Sequence, residues 1–304
     1  MIKVGIIGAQ TQLSGEILRI LFLHPEVDIV TLFSPELTGR SVSSVHHGFI
    51  GEKIVNFTDK IDLSDLDIIF LTDDSEVSNK ILTTYSEWPD LRIVDITPSR
   101  FSSSRNEDFE YGLSEINRKA LVRGARKAFL PSAIAATSLI ALYPLASFLL
   151  LPNEIDIDVE APASIVNDTM VSVAKSEIKE RLEKVQTSFK GDINISTKPF
   201  ESSKIIKVKI SFECKLSIEE IYKVYMSIYD DHNFTFVSMT DVDDNEVVGT
   251  QKCVLTIKKP VSDRLEIVSL ADANMRGGAG DAVHMLNLLF ALYEKIGLHL
   301  KPSA

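Results

Sequence analysis

The chain is poor in cysteine. Cys214 and Cys253 are the only two in 304 residues, which excludes a disulfide framework and a cysteine-rich metal site. It also lacks a surplus of positive charge. Lys and Arg total 32 against 43 Asp and Glu, for a net charge of −11, and that balance excludes a broad nucleic-acid footprint. No internal repeat is present. MIKVGIIG reads directly as a strand, so no secretory leader is expected. With so little cysteine, this predicts a reducing, cytoplasmic setting. What remains is an ordinary folded composition, 45% hydrophobic and 25% charged, and a length that predicts about two domains.

One long uncharged stretch covers residues 128–153. It is long enough to raise a transmembrane helix. Pro144 interrupts it, small and hydroxylated residues dilute its first half, and it lies mid-chain between soluble patterns. The stretch therefore predicts a buried helix and no membrane span.

Residues 2–8 form a short apolar run ending in Gly8, followed by helical spacing of Ile17, Leu18, Ile20 and Leu21 over 15–23. Further strands are expected at 27–33, 67–72 and 92–97. Short apolar strands alternating with helices predict a Rossmann-type, doubly wound parallel sheet of the α/β class. After Pro152 the pattern changes. Strands are expected at 155–160, 205–213 and 252–258, and helices at 169–187 and 217–229. Residues 204–210 alternate charged and apolar, as a half-exposed antiparallel strand does. The second half therefore predicts an α+β domain with a mixed or antiparallel sheet. A helix over 277–293 closes the chain.

A dinucleotide site places glycines between the first strand and helix, where backbone amides approach the pyrophosphate. Here Gly8 is present, but Thr11 and Ser14 stand where the next two glycines belong, or Gly15 with a shift of one. The placement supports the fold more than tight cofactor binding. Beyond a later strand, Asp73, Asp74 and Glu76 set carboxylates where ligands of such sheets sit; a solvated loop is the alternative.

Several segments carry a family pattern: KVGIIGA (3–9), GEILRIL (15–21), HPEVDIV (24–30), GRSVSSVHHG (39–48), YGLSEINR (111–118), SLIALYPL (138–145), LSIEEIYKVYMSIYDDHNFTFV (216–237), GTQKC (249–253) and GGAGDAVHMLNLLF (277–290). Together they resemble the N-acetyl-gamma-glutamyl-phosphate reductase family, within the aspartate-semialdehyde dehydrogenase superfamily. The resemblance implies NADP-dependent reduction of an acyl phosphate to a semialdehyde in arginine biosynthesis. It implies a Rossmann domain of residues 1–130 with 275–304, and a central α+β domain of residues 131–274 carrying the contacts of a homodimer or homotetramer. It implies cofactor contacts at Gly8, Ala9, Thr11, Gln12, Ser34, Arg40, Gly278 and Gly280, and a small anionic metabolite as ligand. The glycines of 277–280 equally permit close helix packing.

The family's reaction uses a cysteine thiolate that displaces phosphate to form a thioester, which the nicotinamide then reduces. The matching stretch here is Leu130-Pro131-Ser132-Ala133, so Ala133 holds the nucleophile's place and has no atom that attacks. Cys214 and Cys253 are expected to be packing residues. The family's histidine base matches Lys198, which stays protonated near neutral pH unless desolvated. No histidine occurs between His47 and His232, so the loss holds if the register slips. A Ser-Gly-rich segment reads EAPASIVND (160–168), and a His-Thr-Pro-Glu helix start reads Ala174-Lys175-Ser176-Glu177. The Asp-Leu-Ser-x-Asp-Phe-Arg run reads Asp95 through Phe101, and Ser-Arg after the second strand reads Ser34-Pro35, leaving Arg40 as a positive charge. Ser132 adjoins the missing cysteine, but a serine needs an aligned base and the sequence nominates none.

The expectation is a reductase-like protein that has lost or altered the family's reaction. The alternatives are an active reductase with changed substrate or mechanism, and a non-catalytic scaffold or partner of an active homologue.

Overall fold

The structure, a computed structural model, describes residues 1–101, 109–200, 204–261 and 263–302. The chain divides into two units, Met1–Leu130 with Gly278–His299, and Pro131–Gly277 with Leu300–Ala304.

The first unit carries β1 (Ile2–Ile7), α1 (Gln12–Leu21), β2 (Val27–Phe33), β3 (Phe57–Thr58), β4 (Ile68–Leu71), α2 (Glu76–Thr84), β5 (Arg92–Asp95), β6 (Glu110–Tyr111), α3 (Ser114–Val122) and β7 (Lys127–Phe129). The strands form one parallel sheet in the order β3-β2-β1-β4-β5-β7-β6. After β3 the chain crosses to β4 on the other side of β1, so the strand order reverses between β1 and β4. Ligands of open parallel sheets sit beyond the carboxyl ends of strands at such a reversal.

Helix α1 begins at Gln12, three residues before the expected start at 15. The cause is Thr11, whose hydroxyl accepts from the Ser14 amide and so caps the helix early. Gly112, just after the edge strand β6, has no room for a side chain: a Cβ there would stand 2.8 Å from Leu130 and 2.9 Å from the Phe129 carbonyl.

The second unit carries α4 (Ala133–Ser147), β8 (Glu154–Ala161), α5 (Asp168–Val185), β9 (Asp192–Pro199), β10 (Ile205–Glu213), α6 (Ile218–Tyr229), β11 (Thr235–Ser238), β12 (Cys253–Val261) and β13 (Arg264–Asp272). Its mixed six-stranded sheet has the order β11-β12-β13-β10-β8-β9. The pairs β12/β13, β13/β10 and β10/β8 are antiparallel, whereas β11/β12 and β8/β9 are parallel. Alternation decides the faces. In β8, Ile155, Ile157 and Val159 are buried while Asp156 and Asp158 are exposed. Helix α4 packs on β10, β12 and β13 and is flanked by α5 and α6.

The uncharged stretch forms α4 and is buried along most of its length. Pro144 has no N–H to give the Ile140 carbonyl. The Tyr229 hydroxyl takes that carbonyl instead, at 2.6 Å, and Tyr225 donates to the neighbouring Ala141 carbonyl. Two tyrosines from α6 thus satisfy the backbone that proline disturbs. Among the described residues no helix is long and apolar enough to cross a membrane.

The last helix, α7 (Ala279–Leu289), returns to the first unit, where it packs on α1, α3 and β5.

Candidate functional site

The turn after β1 is the expected nucleotide loop. Gly8 takes φ +74°, a conformation side chains rarely adopt. Hydroxyls bind the loop together. Thr72, at the end of β4, donates to the Ile7 carbonyl at 2.8 Å, and Ser14 donates to the Gly8 carbonyl at 2.8 Å. Thr11 lies 2.8 Å from Ser14 and 3.2 Å from Thr72. Thr11 and Ser14, standing where glycines were expected, therefore act as the loop's internal ties. Thr11 takes the Ser14 and Gly15 amides, and no acidic residue stands in the first turn of α1. His46 straps the loop from outside: its Nε2 donates to the Ala9 carbonyl at 2.8 Å, and its ring lies where a Gly15 Cβ would stand. That explains Gly15 better than a shifted phosphate glycine does.

The residues fit a dinucleotide in frame. Ser34, at the end of β2, is 2% exposed, and its hydroxyl has no hydrogen-bond partner among the described residues. The Gln10 side-chain oxygen is likewise buried and unpartnered. Such orphaned groups are costly and are satisfied when a polar ligand binds. Asp73 opposes the fit. Its carboxylate stands 2.7 Å from where a Gly8 Cβ would lie, held by the Ser75 amide at 3.2 Å and the Ser78 hydroxyl at 3.0 Å. Asp74 turns instead to the Ser99 amide and hydroxyl. Glu76 sits in the first turn of α2, where a carboxylate is stabilised by the helix dipole. Arg40 is exposed. Gly278 caps α7 and Gly280 lies in its first turn, together with the buried Asp281 carboxylate. Arg100 is buried and spends its guanidinium on three backbone carbonyls, those of Ile96, Thr97 and Leu130.

In the second unit Ala133 is the first residue of α4 and is half-buried. Ser132 caps the helix. Its Oγ accepts from the Ala135 amide at 3.2 Å and donates to Glu177 Oε2 at 2.9 Å. Glu177 matches a helix start of the family's pattern but lies in the middle of α5, in keeping with the helix expected over 169–187; α5 begins at Asp168, where Asn167 caps it. That depth brings the buried Glu177 onto Ser132, a pairing across 45 residues that no local pattern announces. Gly277, φ +68°, presses its backbone on the same turn: a Cβ would lie 2.6 Å from the Ala133 nitrogen.

Lys198 is elsewhere. It lies on the edge strand β9, opposite Glu160 of β8, with an ion pair of 3.5 Å and 75% side-chain exposure. Its row also holds Lys207 of β10, on the sheet face opposite the buried Val159 and Val208. Cys253 is buried with its Sγ 3.2 Å from the Ser269 hydroxyl. Cys214 is half-buried at the end of β10.

The conspicuous motifs near 111–118 and 277–290 serve the first unit's frame. Arg118 donates to Glu294 Oε1 through Nε at 2.7 Å and through a second nitrogen at 2.5 Å, and His284 lies 2.9 Å from Glu294 Oε2. Burial pushes the Glu294 carboxyl up, but the His284 hydrogen bond and charge and then Arg118 outweigh it and hold the pKa down to about 2. Asn287 donates to the Glu294 and Ile296 carbonyls at 2.9 Å each and accepts from His24 at 3.0 Å. These residues bolt α7 and the following turn to α3 and α1.

This parallel sheet, with its loop at the reversal and its mixed-sheet companion unit, defines a semialdehyde dehydrogenase-type protein. Residues 3–123 match the family model described as semialdehyde dehydrogenase, NAD binding domain. Among solved structures, aspartate semialdehyde dehydrogenase II of Vibrio cholerae, complexed with ASA, superposes with a TM-score of 0.72 at 15% identity over 96% of this chain and 99% of that one. Aspartate semialdehyde dehydrogenase of Candida albicans, with NADP, gives 0.67 at 13% identity over 97% and 99%. N-acetyl-gamma-glutamyl-phosphate reductase of Parabacteroides distasonis is 32% identical over 324 aligned positions covering all of both chains. The reductase of Christiangramia forsetii is 29% identical over 100% of this chain and 99% of its own. The chain belongs to the N-acetyl-gamma-glutamyl-phosphate reductase family.

Proposed function

We propose that this chain keeps the ligand classes of its relatives, a nicotinamide dinucleotide and a small anionic acyl phosphate, and has lost their thiol-dependent reduction. The observation that carries this reading is Ala133 at the first position of α4, a methyl group in the place of the attacking thiolate. The exposed position of Lys198 on β9, ion-paired to Glu160, supports it.

The dinucleotide, NADP by resemblance, supplies a hydride when bound. Gly8, Ala9, Thr11, Gln12 and Ser34 would hold it through loop amides and the Ser34 hydroxyl. Arg40 offers a cation for a further phosphate, and Gly278 and Gly280 would let backbone approach it. Asp73 makes that binding weak. Homo-oligomerisation, as a dimer or tetramer, and a cytoplasmic setting rest on the resemblance and on the low cysteine content.

The reverse reaction tests the reading. Purified protein is given the acetylated glutamate semialdehyde, phosphate and NADP, and NADPH formation is followed. None is expected. Clear turnover that survives a Cys214/Cys253 double substitution refutes the loss of reduction.

A further inference from the structure

The start of α4 holds a hydroxyl and a carboxylate in the arrangement of a nucleophile and its base. Ser132 Oγ donates to Glu177 Oε2 at 2.9 Å, and the Ser132 amide donates to the same oxygen at 3.3 Å, which keeps it on the hydroxyl. Both residues are buried, Ser132 8% and Glu177 6% exposed, while the adjoining Ala133 is half-buried. From the other side the Ala135 amide donates to Oγ at 3.2 Å. Negative charge growing on Oγ as its proton leaves therefore meets an N–H and the positive end of the α4 dipole. Hydrogen-bond reach between hydroxyl and base, with the base held by another group, is the requirement for an activated serine.

We propose that Ser132 and Glu177 hydrolyse acyl phosphates, with Ser132 as nucleophile and Glu177 as general base. The substrate class rests on the acyl-phosphate ligand proposed for the chain. Glu177 accepts the Ser132 proton as Oγ bonds to the acyl carbon. The bond from that carbon to the phosphate oxygen then breaks, and phosphate leaves with the electron pair and takes the proton from Glu177. Water attacks the acyl-serine ester and gives its proton to Glu177. The carbon–Oγ bond breaks, Ser132 regains a proton, and the acid departs. The sum is acyl phosphate and water to carboxylic acid and phosphate, with no change of oxidation state.

Phosphate is a good leaving group, so a weakly basic carboxylate suffices. An oxygen ester accepts hydride less readily than a thioester, because oxygen shares its lone pair with the carbonyl more fully than sulfur does. Moving the nucleophile from the thiol position to Ser132 thus turns a reduction into a hydrolysis.

The experiment incubates the full chain with acetyl phosphate, with and without NADPH. It reads inorganic phosphate, NADPH, and acetyl groups on peptides after acid quench. The expected result is phosphate release faster than in buffer, one acetyl group on Ser132, and no NADPH consumed. Ser132→Asn caps a helix as well as serine but has no nucleophilic oxygen; it should keep the unfolding midpoint and lose both release and acetylation. Glu177→Gln should slow release about a hundredfold and flatten its pH profile, an independent readout that a packing role would not move. Release no faster than buffer, release that Ser132→Asn retains, or acetylation elsewhere overturns the proposal. NADPH consumption instead overturns the loss of reduction, so the two failures are told apart.

Discussion

On the reading proposed above, Ala133, Ser132, Glu177 and Asp73 decide the chemistry between them, with Ala133 in the place of the thiol. Ser132 and Glu177 put a hydroxyl–carboxylate pair one residue away. Asp73 sets a charge against the nucleotide turn, close to Gly8. A carboxylate facing a phosphate across partly screened space costs on the order of 1 kcal/mol, about fivefold in affinity. Asp73→Asn keeps acceptors for Ser75 and Ser78 and removes the charge. It should therefore tighten NADPH binding about fivefold in a fluorescence titration; unchanged or weaker binding would show that the carboxylate does not face the cofactor. The match of Ala133 and Lys198 to the family's nucleophile and base was legible only in the sequence. The Ser132–Glu177 pair was not legible there, because it joins a helix cap to the middle of another helix. Nor was the side of the sheet on which Lys198 stands, since that follows from the parallel register of β8 and β9.

At the scale of elements, two supports carry distinct energies. The Tyr229 hydroxyl satisfies the Ile140 carbonyl that Pro144 leaves open. Tyr229→Phe strands a buried acceptor and should cost about 1–3 kcal/mol, read as a lower urea midpoint with unchanged slope; an unchanged midpoint would mean that another donor replaces it. The Glu294 carboxylate is the second support. Its native pKa of about 2 lies below the unfolded value near 4.5, so its contribution is fully present above pH ~4.5 and is lost as pH falls toward ~2. Glu294→Gln should destabilise the chain at pH 7 and converge on the wild type near pH 2 to 3 in urea melts. A constant gap at every pH would assign the loss to packing. Local signals revealed β1, its loop and α1, although Thr11 as a cap moved the helix start. No strand is expected from the sequence at β3, β6, β7, β9, β11 or β13. Strand β9 is an edge strand whose outer residues are polar, and β11 is only four residues long. The alternation of Leu265 and Ile267 with polar neighbours in β13 did carry a strand signal.

Across the whole molecule, the frame of the family has persisted, and the proposed change is confined to the start of α4. The exposed Arg118 and the buried His284, Asn287 and Glu294 build one network that fastens α7 within the first unit. Full-length identity of 32% to a reductase therefore coexists with an alanine at the start of α4. Homology fixes the frame, whereas the proposed reaction turns on single atoms at Ser132, Ala133 and Glu177. The most direct measurement is the stoichiometry of the forward reaction, with phosphate released and NADPH consumed followed together on N-acetyl-gamma-glutamyl phosphate. Phosphate released without NADPH consumption is the predicted result. One NADPH consumed for each phosphate would contradict it and return the chain to the family's reduction.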